Sequence, residues 1–318
     1  MKPPYDITPT ILKLIATISE KIGHVNANFL DKPSPQLRKQ NNIKTIHSSL
    51  SIEGNTLTTD QITALLENKR VIGPQKDITE VINAISIYEQ LNQFDPFSIE
   101  SFLKAHKMLM KGLSESAGKL RTTGVGIVKG EHVQHIAPPH SRVAYLMNSL
   151  FDYLKDPDEL CIIKSCVFHY EMEFIHPFAD GNGRMGRLWQ TLILMSEYRL
   201  FEFLPFETLI HETQDEYYKT LALCDKTGKS TPFIEYMLQL ISKSLDSLSS
   251  VNSKTMTDLG RIEYFLSLDI QEFNRKNYLD VFKNISPATA SRDLKKGVDL
   301  GFLVKTGDKN NTTYSKKS

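Results

Sequence analysis

The sequence predicts a mainly α chain that ends in a small α+β unit, and three observations carry that expectation. Apolar residues recur at helical spacing: Val81, Ile85 and Tyr88 share one stripe, Ile99, Phe102, Leu103 and Leu109 another, and Leu146, Leu150 and Leu154 follow four apart. Helix starts are legible, with Thr58 and Gln61 at capping-box spacing ahead of Ile62, Leu65 and Leu66, and Ser98 ahead of a further apolar run. Strand-like patterns are confined to two short stretches, one inside the helical region and one near the C-terminus.

The first of these is LRTTGVGIVKGEHVQHIAPPHSRV, where Val125, Ile127 and Val133 alternate around Lys129-Gly130-Glu131. That pattern predicts a short β-hairpin ending at Pro138-Pro139. A lone hairpin is marginal unless it packs on something larger, so it serves either as a flap over a site or as surface decoration. Residues 245–258 turn small and polar and read as a linker. Beyond them come a helix near Leu259–Leu268, a short helix around Tyr278–Phe282, and a third begun by Ser286-Pro287 and closed by Gly301. Phe302-Leu303-Val304 and Thr312-Thr313-Tyr314 flank the turn GDKNN like wing strands, an order that resembles a winged helix over residues 259–318.

Composition excludes several function classes. The chain has 318 residues, 40% of them hydrophobic, and a formal charge of +1, so it can bury a core and carries no chain-wide basic field for nucleic acid. Cys161, Cys166 and Cys224 are odd in number and sit in apolar stretches, which fits reduced core thiols better than a zinc knuckle or a secreted disulfide framework. The opening MKPPYDITPTILKLI lacks the layout of a signal peptide, and no apolar run reaches spanning length. The expectation is a cytoplasmic protein with no membrane partner.

Chemistry concentrates in HPFADGNGRMGRL, residues 176–188, between the apolar helices LCIIKSCVFHYEMEFI and RLWQTLILMSEY. Gly181-Asn182-Gly183 at a helix start allows consecutive N–H groups to converge on an anion. Arg184 and Arg187, three apart, offer guanidinium forks suited to phosphate oxygens. Asp180 beside an anion nest makes sense with Mg²⁺ between it and the phosphates, and His176 titrates where a general base for a hydroxyl should. Base, metal carboxylate, nest and arginines together describe in-line attack on a polyphosphate. A rival reading, metal binding by His169, Glu173 and His176, lacks HExxH spacing and a further ligand.

HPFADGNGRMGR matches the Fic motif, HxFx(D/E)GNGRxxR, at His176, Phe178, Asp180, Gly181, Asn182, Gly183, Arg184 and Arg187. GKLRTTGVGIV with HIAPPH is similar to that family's flap, and EYYKTLALCDKTGKSTPFIEYML to its pocket-closing segment, so the resemblance covers roughly residues 10–240. It implies a Fic-type helical bundle with a β-hairpin flap, divided as an N-terminal helical region (1–96), a catalytic core (97–244), the linker and the winged-helix-like tail. It implies transfer of AMP from MgATP to a Tyr, Thr or Ser hydroxyl of a protein target or of the chain itself. His176 would be the base, Asp180 the Mg²⁺ ligand, Gly181, Asn182, Gly183 and Arg184 the phosphate holders, and Arg187 the γ-phosphate clamp. Tyr218, Leu221 and Asp225 would lie near the adenine, Asp225 standing where some members have Asn. The hairpin, Val125–Ile136, would hold the target by strand pairing. Leu120 departs from the aromatic residue many members carry before the flap.

SLSIEGN, residues 49–55, resembles the family's inhibitory pattern, (S/T)xxxE(G/N), through Ser49, Glu53 and Gly54. Glu53 paired with Arg187 would remove that arginine from the γ-phosphate and set a carboxylate against the incoming charge. Alternatives stay open: an AMP-removing enzyme or related phosphotransferase on the same fold, or a DNA-binding regulator with a vestigial core. The last would use Ser286–Leu300 with Arg292, Lys295 and Lys296, and Lys305 and Lys309 on the wing. Protein docking by the tail fits equally, and self-association is compatible with everything above.

Overall fold

In the computed structural model the described residues are 2–29, 35–129, 132–254, 258–266, 270, 272–282, 285–308 and 312–316. Fourteen α-helices and two small sheets lie among them. They fall into two compact units, one of Met1–Glu20 with Leu37–Ser244, the other of Lys21–Gln36 with Leu245–Ser318.

The larger unit opens with α1 (Pro9–Phe29) as far as Glu20 and α2 (Pro35–Ser51) from Leu37, followed by α3 (Thr59–Leu66) and α4 (Gln75–Tyr88). Thr58 and Gln61 form the expected capping box on α3. The turn after α2 is held from the start of α4: Asp77 Oδ2 accepts from the Thr56 N–H at 2.8 Å and its hydroxyl at 2.6 Å, and Asn55 Nδ2 donates to Glu80 Oε2 at 2.8 Å. An acid in the first turn of α4 also faces the positive end of its dipole. Ile43, Ile46 and Leu50 of α2 pack with Leu57, Ile62, Val81 and Ala84, so the chain around residue 53 is anchored on both sides.

α5 (Ile99–Leu109), capped by Ser98, leads to the hairpin β1 (Gly126–Lys129) and β2 (His132–Ile136), then α6 (His140–Leu154), α7 (Cys161–Ile175) and α8 (Asn182–Met195). The hairpin is antiparallel, Gly126 opposite Ile136 and Lys129 opposite His132, with a register shift between Ile127 and Val128. Its expected turn residues Gly130 and Glu131 lie outside the described residues. α7 and α8 are buried along nearly their whole length. Phe102, Phe151, Phe168, Phe178 and Trp189 interlock edge-on or stacked, with centroids 5.0–6.2 Å apart. Truncating one such ring costs about 3–5 kcal/mol, so the α7–α8 loop hangs from a stiff core. α9 (Phe206–Glu212), α10 (Gln214–Thr227) and α11 (Thr231–Lys254) as far as Ser244 complete the unit. α11 runs to Lys254, into the stretch read as a linker, and Leu238, Ile241 and Leu245 are buried along it.

The second unit contains α12 (Asp258–Leu266), β3 (Glu272–Phe273), α13 (Arg275–Val281), α14 (Pro287–Asp299), β4 (Leu303–Thr306) and β5 (Thr313–Lys316). Ser286 caps α14 with Pro287 at its first turn, and Gly301 takes the left-handed conformation that closes it. The sheet order is β3-β5-β4, all antiparallel, around a core of Phe265, Phe273, Tyr278, Ala290, Leu294 and Leu303. Strand β3 had no signal in the sequence, and Lys309 of the expected wing lies outside the described residues. All three cysteines are free, Cys166 and Cys224 buried. Among the described residues no helix is long and apolar enough to cross a membrane.

Candidate active site

α7 ends at Ile175, and His176 caps it in a left-handed conformation, φ 49° and ψ 61°. A β-carbon disfavours that region by roughly 1–2 kcal/mol, so the surroundings must impose it. Two contacts do so: the His176 N–H donates to Met172 O at 3.0 Å, and its carbonyl accepts from Arg121 Nε at 2.7 Å. His176 Nδ1 sits 3.3 Å from the Glu173 carbonyl, which can only accept. The tautomer this favours carries its proton on Nδ1 and keeps the lone pair on Nε2.

The loop then folds on itself. Phe178 is buried, stacked on His106 with centroids 3.5 Å apart and on Phe102 at 5.2 Å. Asn182 uses its whole amide on the Phe178 peptide, Oδ1 accepting from N and Nδ2 donating to O, both at 2.9 Å. The Asn182 amide thus closes the loop, and its main-chain N–H at the start of α8 is what the residue offers an anion first. Below the loop, His106 Nδ1 accepts from the Gly118 N–H at 2.8 Å, so Nε2 holds the proton and donates to Asp180 O at 3.0 Å. Burial pushes the His106 imidazole down to about 4, which keeps it neutral and this arrangement fixed.

Gly181 starts α8 at φ 84°, and a β-carbon there would also press within 2.8 Å of Met110 Sδ. The Asp180 carboxylate stands at the mouth, its side chain 54% exposed, with Oδ1 accepting from the Gly181 N–H at 2.6 Å and Arg184 Nη2 at 3.1 Å. Arg184 is buried, pairs through Nη1 with Glu80 Oε1 at 3.1 Å, and leaves Nε without a partner among the described residues. Arg187, three residues on, points back to α2: Nε donates to Ser49 Oγ at 3.1 Å, and Nη2 donates to Ser49 O at 2.9 Å and to Glu53 Oε1 at 2.7 Å. Arg187 is 1% exposed and the Glu53 side chain 32%. Burial works to lower the guanidinium's affinity for its proton, and Glu53, Tyr217 and Glu173 together more than offset it, so the group is held firmly charged.

One observation tests whether this corner suits phosphate. A β-carbon on Gly183 would overlap Glu53 Oε1 and come within 3.1 Å of Arg187 Nη1. A carboxylate therefore already rests on the first turn of α8, where N–H groups and the helix dipole favour negative charge. The concavity is one only glycine leaves open, and its contents are anionic. Gly54, at φ 88°, turns the chain away just after Glu53.

The adenine candidates are less tightly gathered. Tyr218, Leu221 and Asp225 are half-buried along one face of α10. Burial raises the Tyr218 hydroxyl, with the charge of the Glu53 carboxylate the next cause. Asp225 Oδ1 accepts from Tyr170 OH at 3.0 Å, and Glu171, raised to about 7 by burial and then by Asp225, lies close to it. His169 is occupied elsewhere, by Gln190 at 2.7 Å and Tyr217 at 3.1 Å, and no group of three or more His, Cys, Asp or Glu among the described residues is placed to hold a metal ion. A cation here would use the exposed carboxylate of Asp180 together with oxygens of the substrate.

Sequence reasoning missed His106, Glu80 and Arg121. His106 shares a helical face with Phe102 and Leu109 and reads as a core position, while Glu80 and Arg121 reach their partners 104 and 55 residues away.

The family description Fic/DOC matches residues 96–194. A Fic family protein from Desulfovibrio desulfuricans G20 superposes with a TM-score of 0.77 at 38% identity, covering 99% of this chain and 98% of that one. The protein adenylyltransferase fic-1 of Caenorhabditis elegans is 32% identical over 205 residues, and the protein adenylyltransferase Fic of Nematostella vectensis 28% over 271. These alignments take in 60% and 79% of this chain but only 38% and 60% of the relatives' lengths. The motif, the helical arrangement around it and these matches agree: the chain belongs to the Fic/DOC family.

Proposed function

We propose that this chain is a protein adenylyltransferase, moving AMP from ATP to a hydroxyl of a protein target or of itself, with Glu53 as a built-in brake. The observation that carries the reading is the anion cradle on the first turn of α8, opened by Gly183, flanked by Arg184 and Arg187, and preceded by the strained His176. His176 Nε2 removes the proton as the target oxygen bonds to the α-phosphorus and the bond to the β-phosphate breaks, releasing pyrophosphate. The N–H groups of Asn182 and Gly183 orient the phosphates, with Gly181, whose N–H holds Asp180 Oδ1, shaping the turn before them; Arg184 neutralises charge beside them, and Arg187 takes the γ end once Glu53 leaves it. Mg²⁺, held by Asp180 with phosphate oxygens, would supply further charge neutralisation. Tyr218, Leu221 and Asp225 would face the base, and the hairpin β1–β2 would grip the target backbone. ATP and Mg²⁺ are plentiful in the cytoplasm, the compartment we infer.

Labelled ATP tests this directly. Label should reach protein in the Glu53→Gly variant, less in wild type and not at all in Glu53→Gly/His176→Ala, with a mass gain of one AMP. Absence of protein-bound AMP in all three would overturn the reading. For the second unit, Arg292 and Lys295 on α14 and Lys305 on β4 are exposed and available to a nucleic-acid backbone. A shift assay with steep salt dependence supports that role; a null result leaves protein docking.

A further inference from the structure

We infer that Arg121 is a positioning residue that ties the base of the flap to the strained backbone of His176, so that target and general base are held in one register. This rests on the proposed role of His176. Arg121 follows α5 and precedes β1, with its side chain buried. Its Nε donates to His176 O at 2.7 Å, Nη1 to Thr123 O at 2.8 Å, and Nη2 to Pro138 O at 2.5 Å and Ile175 O at 3.3 Å. Its own N–H donates to Pro177 O at 2.8 Å. Among the described residues, every partner is a main-chain carbonyl.

The choice of carbonyls is informative. Ile175 and His176 end α7, where carbonyls lack intrahelical donors, and a plain helix cap would need nothing more. Thr123 and Pro138 are different: they are the two roots of the hairpin, one before β1 and one after β2. One planar fork therefore joins both roots to Ile175 and His176, and the Arg121 N–H adds Pro177, so that the stretch setting where the imidazole stands is held from one residue. The fork matters more than the charge, because no carboxylate is involved. An ammonium at the same place would satisfy fewer of these acceptors and fix none of the angles.

The test uses the full chain in the Glu53→Gly background, so that turnover is measurable, with Arg121→Lys and Arg121→Ala. Misplacing a reacting group by about 1 Å costs on the order of 100-fold, so Arg121→Lys should lower kcat by about that factor. The KM for ATP should stay within about twofold, because the cradle on α8 is untouched, while the KM for the protein target rises. Methylguanidine in the buffer should restore part of the Arg121→Ala activity, and hydrogen exchange at the amides of residues 123–138 should speed up in both variants. Unchanged kcat in Arg121→Lys would overturn the inference, as would a fall in ATP binding that matches the fall in kcat. Failure of methylguanidine to rescue a folded Arg121→Ala protein would also overturn it. If the Glu53→Gly parent itself transferred no AMP, the proposed function would fail instead, and hydrogen exchange would still report on the tie.

Discussion

Replacing Glu53 probes the brake quantitatively. Arg187 is 1% exposed and meets Glu53 Oε1 at 2.7 Å, so under the proposed mechanism the γ-phosphate would have to displace a carboxylate from a desolvated guanidinium. Breaking a fully buried pair costs about 3–5 kcal/mol and a surface pair about 0–1. Glu53 is 32% exposed and Ser49 keeps two contacts to Arg187, which puts this pair at roughly 1–3 kcal/mol. By linkage, removing it should tighten ATP binding by about 5–150-fold, and ADP, without a γ-phosphate, should gain much less. Glu53→Gln separates charge from the added backbone freedom of Glu53→Gly, and it should show most of the same gain. Titration calorimetry of ATP and ADP against the three proteins measures the ratio. If the ATP-to-ADP preference were the same in all of them, Glu53 would not compete with the γ-phosphate and the brake would have to be discarded.

Other predictions follow from neighbouring contacts. Gly183→Ala should push Glu53 off the cradle and fill it in the same stroke, so calorimetry should find weakened ATP binding and labelling should not rise. Glu80→Ala removes the buried partner of Arg184 and leaves it, among the described residues, only the exposed Asp180, so it should cost about 1–3 kcal/mol in a urea titration, whereas Glu80→Gln keeps an acceptor for it and should cost less. Glu207, fully buried on α9, is pushed up to about 7 by burial. Its folded-state value lies above its ordinary one, so the native state holds this proton longer than the unfolded chain does. That contribution, on the order of 3 kcal/mol, is complete below about pH 4.5 and is lost as pH rises through about 7. Thermal melts between those limits should show wild type losing stability relative to Glu207→Gln as pH rises; parallel curves would contradict it.

Much of the site was legible because its chemistry is local. His176 through Arg187 occupy twelve consecutive positions, and Ser49 with Glu53 form a second short pattern whose partner, Arg187, could be named in advance. The structure brings those two segments together at 2.7 Å. What was not legible acts at long range or looks ordinary. Glu80 serves Arg184 and Asn55 at once, and nothing in its helical neighbourhood distinguishes it from a solvated acid. Asn182 was read with the phosphate cradle, yet its amide closes the loop onto Phe178, a use that only backbone coordinates reveal. Likewise, helix caps at Thr58, Ser98 and Ser286 follow from local rules, while the two-residue strand β3 owes its existence to β5 and has no pattern of its own.

The two Ser49 contacts to Arg187 have a bearing on speed. Because both come from one residue that need not move, the arginine would stay aimed when the acid swings out, and switching would require only the rotation of one partly hydrated side chain. Rotations of that kind take picoseconds to nanoseconds. The resting enzyme would thus idle with a small, steady leak set by a rotamer population, and an activator would have only to bias that population, with no helix to unseat.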